Sequence, residues 1–191
     1  MPYVLLSALI VVLDQWYKGF ISRQLVRVGS SAAFLPGVLQ LTLVHNYGAS
    51  WGILAGKTTL LLAVTALVCA AILCVILLGK PAAALGRLSL AFILGGAVGN
   101  ALDRFLQGYV IDMFETQFMD FPVFNVADCF ITVGAVLMCL WVLGDEKKNR
   151  LERQEASRRR WEKSREAAKK DAALAEQTRR EFDENDDVSD R

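Results

Sequence analysis

The sequence contains one histidine, His45, and only four cysteines, all inside apolar runs. A single imidazole excludes the HExxH arrangement and any zinc set built on paired histidines. In such surroundings Cys69, Cys74, Cys129 and Cys139 behave as small hydrophobes, so neither a disulfide framework nor a thiolate metal site is expected. Charge is also scarce where most of the chain lies. Seven of the 21 Lys/Arg and six of the 20 Asp/Glu fall in the first 144 residues, which leaves 14 of each for the last 47. A net charge of +1 therefore carries no nucleic-acid signal, because the basic residues of the tail are interleaved with equal acid. The apolar start, Val4 to Leu13, lacks a basic leader and a small-residue cleavage site, and reads as a retained first helix.

What is present is hydrophobicity, at 54% of residues. Four stretches approach the roughly 20 helical residues that a bilayer core requires: Val4–Ile21, Thr59–Leu78, Leu85–Arg104 and Val126–Gly144. The expected class is an all-α membrane protein, with residues 1–144 as a four-helix membrane domain and 145–191 as a charged tail, helical and then disordered. The basic residues Lys80, Arg87, Lys147, Lys148 and Arg150, against none between Phe105 and Asn125, place both termini and the short second connector in the cytoplasm. Arg23, Arg27 and Lys57 in the first loop run against that bias. The first and third loops would then face the exterior. Partly alternating apolar residues from Gly37 to Val44, after a Pro-Gly turn, predict a short strand and a small external sheet in the first loop.

Charges inside a span cost a few kcal/mol each and need a reason. Asp14 and Lys18 stand four apart on one helical face, a spacing that serves a structural ion pair as well as a functional one. Gly96, Asn100 and Asp103 share a face of the third span that must look into protein or water, and Gly95-x-x-x-Gly99 allows close helix approach. Asp103 and Arg104 also fit a plain interfacial position. Asp112, flanked by Val, Ile, Met and Phe, is poorly solvated and should resist ionisation. Asn125 and Asp128 have the spacing of an N-cap and its N3 partner, so Asp128 reads first as an ordinary helix start.

Together Asp14, Asn100, Asp103, Arg104, Asp112, Asn125 and Asp128 project more polar groups to the exterior end than folding requires. Two converging carboxylates cannot both ionise easily, so one keeps a proton while the other activates water: a peptide hydrolase without metal or nucleophile. The proton belongs to the pair rather than to either member. Gly48-Ala49-Ser50-Trp51-Gly52 matches G-x-S-x-G by chance, since no α/β elbow or suitable base accompanies it. His45 reads as a loop residue. An ion-coupled carrier using Asp14, Asp103 and Arg104 is the alternative reading, and a helical anchor for the tail a third.

Five blocks in order, Asp14-Gln15-x-x-Lys18, Asn46-x-Gly48-Ala49, Gly99-Asn100-x-x-Asp103-Arg104, Gly108-Tyr109-Val110-x-Asp112 and Phe121-Pro122-x-Phe124-Asn125-x-Ala127-Asp128, resemble lipoprotein signal peptidase, the signal peptidase II family of bacterial intramembrane aspartyl proteases. The resemblance runs from Val11 to Gly134. It implies Asp112 and Asp128 as the catalytic dyad. Asn46, Asn100, Asp103, Arg104 and Asn125 would line the pocket and hold substrate backbone, with Asp14 and Lys18 as a supporting charged pair. It further implies cleavage of diacylglyceryl-modified prolipoproteins immediately before the lipidated cysteine, at the outer face of the bacterial inner membrane. The expected enzyme is a monomer in membrane lipid, without cofactor, metal or nucleic acid, inhibited by globomycin-type cyclic peptides. Ser50-Trp51-Gly52 departs from the usual Ala-Phe-Ser type continuation, which bears on that loop and not on the dyad.

Overall fold

The structure is a computed structural model that describes residues 1–189 apart from 26, 50–52 and 82, with side chains through residue 166. Its elements run α1 (Pro2–Gln24), β1 (Ser31–Leu35), β2 (Leu39–Asn46), α2 (Thr58–Leu77), α3 (Ala84–Gln107), β3 (Val110–Thr116) and α4 (Val126–Ser189). All four helices are long and apolar enough to cross a membrane. A helix satisfies its own backbone amides, which lipid cannot do. The first three lie within three residues, at either end, of the spans read from the sequence. α4 runs past its apolar portion to Ser189, through an Ala/Glu/Lys/Arg-rich stretch that carries i,i+4 pairs such as Arg158 with Glu162 at 3.0 Å. The chain divides into two units, Met1–Val142 and Leu143–Arg191.

Small residues set the helix spacing. A Cβ on Gly95 would lie 2.9 Å from the Ser7 carbonyl oxygen of α1, and one on Gly99 2.6 Å from Asp14 Oδ2. On the other side of α3, a Cβ on Gly96 would strike the Ala127 carbonyl oxygen of α4. α3 therefore packs closely on α1 and α4 along one glycine-rich stretch, as its GxxxG spacing suggested. α2 keeps only Ile76 buried and presents apolar side chains outward along its length. Of the cysteines, Cys74, Cys129 and Cys139 are exposed at the bundle surface rather than buried, and all four thiols are free.

The sheet is antiparallel in the order β1-β2-β3. It is not confined to the first loop as expected: β3 comes from the segment between α3 and α4, and it carries Asp112. The strand gives no alternating signal because Val110, Ile111, Asp112 and Met113 are all buried, so both of its faces are covered. His45, expected in a loop, lies in β2, paired with Ile111 and stacked on Tyr109 with ring centroids 3.9 Å apart. The Ser50-Trp51-Gly52 segment lies outside the described residues, and with it most of the match to G-x-S-x-G. Ile21, Leu43, Ile111 and Met113 form the core between the end of α1 and the sheet. Burying each such side chain contributes about 1.5–3 kcal/mol. Gly108 ends α3 in the left-handed region at φ 81°, which lets the chain turn straight into β3.

Candidate active site

Asp112 and Asp128 reach one cavity from different directions. Asp112 stands on β3, where Asn46 of β2 is paired with Val110, two residues before Asp112 and on the same face. From there Asn46 Nδ2 donates to Asp112 Oδ2 at 2.9 Å. Asp128 sits in the first turn of α4, where the predicted cap is complete: Asp128 N donates to Asn125 Oδ1 at 2.9 Å and Asn125 N to Asp128 Oδ2 at 3.2 Å. Pairing between Phe124 and Phe114, with N–H···O bonds of 3.0 and 2.8 Å, holds the segment before α4 against β3. Asn125 is thereby brought beside Asp112, and its Nδ2 donates to Oδ1 at 2.6 Å.

Three side-chain amides face the two acids, and each has only one useful orientation. Asn46 spends its carbonyl on Gly48 N at 2.9 Å and Asn125 spends its own on Asp128 N, so both must turn their NH2 groups toward Asp112. Asn100 accepts on Oδ1 from Lys18 Nζ at 2.9 Å and from Asn125 Nδ2 at 3.0 Å, which directs its Nδ2 at Asp128 Oδ1, 2.8 Å away. Asp112 is only 2% exposed. Burial pushes its carboxyl up to about 6; the bonds from Asn46 and Asn125 work against that, and the nearby charge of Asp128 works with it.

Behind the amides lies a fully buried charge cluster. Lys18 Nζ is 2.8 Å from Asp14 Oδ2 and 2.9 Å from Asp103 Oδ2, with all three side chains at most 2% exposed. Arg104 bonds the carbonyls of Gly48 at 2.9 Å and Asn100 at 3.4 Å, while its buried Nε has no partner among the described residues.

The cavity, about 610 Å³, is lined on its polar side by Asn46, Asn100, Arg104, Asp112 and Asp128. Its apolar wall includes Phe121, Pro122 and Phe124 from the segment before α4, and Ile131 and Val133 from α4 itself. Of the residues nominated from the sequence, these five line the cavity. Asn125 lies directly behind Asp112, while Asp14, Lys18 and Asp103 lie deeper. Asp103 is completely buried in the cluster. Sequence reasoning gave no role to Cys129 or Thr132, which line the cavity from the first turns of α4. Gln15 stood in the first of the five matched blocks but was assigned no role; its amide joins the buried cluster, and it shares a helical face with Lys18 at i,i+3.

A chain with four membrane-length helices and two carboxylates on one cavity, backed by a buried charge cluster, is a multi-pass membrane protein built around a chemical site. Residues 6–144 match the family described as Signal peptidase (SPase) II, and the chain belongs to this family of peptidases. The lipoprotein signal peptidase of Enterococcus faecalis is 40% identical over 145 residues, covering 76% of this chain and 89% of that protein. The corresponding protein of Brevibacillus brevis is 42% identical over 153 residues, 78% of this chain and all of that one. A solved structure described as a bacterial membrane enzyme superposes with a TM-score of 0.71 at 32% identity, over 77% of this chain and 90% of that chain.

Proposed function

We propose that the protein cleaves the signal peptide from diacylglyceryl-modified prolipoproteins immediately before the lipidated cysteine, using Asp112 and Asp128 as an aspartyl dyad. The observation that carries this reading is that two carboxylates from separate elements line one cavity, each oxygen accepting an N–H from a group of fixed orientation. With one proton on the pair, the ionised carboxylate takes a proton from water as the water oxygen attacks the scissile carbonyl carbon. The protonated carboxyl meanwhile donates to the carbonyl oxygen. As the tetrahedral gem-diol collapses, the C–N bond breaks, the leaving nitrogen takes the proton that came from water, and one diol hydroxyl returns its proton to the other carboxylate, so the dyad again holds a single proton. Asp112, displaced to about 6, is a carboxyl able to hold a proton near neutrality.

Asn46, Asn100 and Asn125 orient the pair. Arg104 lines the cavity, and its guanidinium is suited to hold substrate backbone carbonyls. The apolar wall suits an acylated substrate that arrives through lipid and needs no cofactor. A globomycin-type cyclic peptide would occupy the same cavity. The loop charges favour cytoplasmic termini and a reaction at the outer face of the inner membrane. Residues 1–144 would be the monomeric peptidase domain and 145–191 an appended cytoplasmic tail, in keeping with a family match that ends at residue 144.

The test is to give purified protein one prolipoprotein with and without its diacylglyceryl group and to sequence the products. The expected outcome is a mature chain beginning at the lipidated cysteine, formed only from the acylated substrate. Cleavage elsewhere, or equal cleavage of the unacylated form, would refute the reading.

A further inference from the structure

The buried charges do more than pair with one another: each acid also holds a backbone N–H, and the two held amides have a common relation to the dyad. Asp14 Oδ1 accepts from Ala127 N at 2.9 Å, and Ala127 immediately precedes Asp128. Asp103 Oδ2 accepts from Ile111 N at 3.1 Å, and Ile111 immediately precedes Asp112. Ala127 N is one of the first amides of α4, which have no partner within their own helix, so Asp14 satisfies it from α1.

Two donors then bind the acids to each other. Lys18 Nζ lies 2.8 Å from Asp14 Oδ2 and 2.9 Å from Asp103 Oδ2. Gln15 Nε2 reaches Asp103 Oδ1 at 2.8 Å, the Gly99 carbonyl at 3.2 Å and Asp14 Oδ2 at 3.4 Å. A continuous path thus runs from the backbone beside Asp128, through Asp14, across Lys18 and Gln15 to Asp103, and on to the backbone beside Asp112.

We propose that Asp14, Lys18, Asp103 and Gln15 form a positioning unit that fixes the separation of Asp112 and Asp128 by gripping the peptide unit in front of each, with Gln15 as the second crosspiece beside Lys18. The proposal rests on the reading of Asp112 and Asp128 as the dyad. None of the four lines the cavity, so none is assigned contact with substrate. Gln15 is the informative member because it is uncharged and only half-buried, and its removal leaves both Lys18 ion pairs in place.

Coupled carboxylates titrate with two macroscopic pKa values whose spacing grows as the groups approach. A looser unit lengthens the mean separation, so the two limbs of the pH–rate profile should move together. General loss of stability would lower the active fraction and leave the shape of the profile unchanged.

The experiment measures kcat, KM and the pH–rate profile of full-length Gln15→Leu in lipid, on monodisperse protein, beside wild type and Asp112→Asn. The expected result is kcat lower by roughly tenfold, KM within about twofold, and a narrower bell. Should Gln15→Leu fail to fold, Gln15→Asn keeps an amide but shortens its reach, and the same result is expected. An unchanged kcat and profile, or a loss confined to KM, overturns the proposal. Full activity of Asp112→Asn would instead overturn the dyad itself, so the two failures are distinguishable.

Discussion

Replacing Asp112 with asparagine should change how stability depends on pH, and the size of the change follows from its burial. The side chain is 2% exposed, and its carboxyl is displaced from 3.8 to about 6, chiefly by desolvation. Between those values the folded protein binds a proton that the unfolded chain has released. The wild type therefore loses stability as pH rises through that window. At about 1.4 kcal/mol per unit the full loss is about 3 kcal/mol, with about 2 kcal/mol of it falling between pH 4.5 and 7.5. The carboxamide of the Asp112→Asn variant cannot ionise and escapes this loss. It brings a different cost, since one amide oxygen now faces two donors, from Asn46 and Asn125. That unpaired donor costs about 1–3 kcal/mol, but equally at both pH values, so it cancels in the comparison. Thermal unfolding in detergent should show the variant gaining on wild type by on the order of 5 °C between pH 4.5 and 7.5. An equal difference in Tm at both pH values would refute the claim that burial raises the pKa of Asp112.

Lys18→Met leaves Asp14 and Asp103 buried without their cation and should cost about 3–5 kcal/mol, seen as a sharply lower Tm and poor recovery from the membrane; a Tm near that of wild type would contradict the account of the cluster. In a variant that keeps Cys129 as its only cysteine, maleimide should abolish cleavage because this thiol lines the cavity beside Asp128, and full activity after complete modification would contradict that placement. Truncation after Gly144 should leave kcat within about twofold, since the family match and every site residue lie before that point; loss of activity in a folded truncated protein would give the tail a role in catalysis.

The four helices were legible because their apolar runs match the thickness of a bilayer, and the cap of α4 because Asn125 and Asp128 stand three apart. The sheet was only partly legible. β1 is exposed along its whole length and β3 is buried on both faces, so neither gives the alternation that revealed β2. Of the site, the residue types and their gathering on α3 and around the third loop could be read directly. Their division of labour could not. Asp14 bonds an amide 113 positions away, and Gln15 reaches a carboxylate 88 positions away. Such partners come together only once α1, α3 and the start of α4 have packed along their glycines.

The most direct measurement of the central claim is the single-turnover rate at which purified Asp112→Asn and Asp128→Asn cleave a diacylated prolipoprotein, each first shown to be folded by its thermal transition. Each variant should be slower than wild type by about 10²–10⁴-fold, the loss expected when a positioned proton donor or acceptor is removed. A near-wild-type rate for either one would contradict the account.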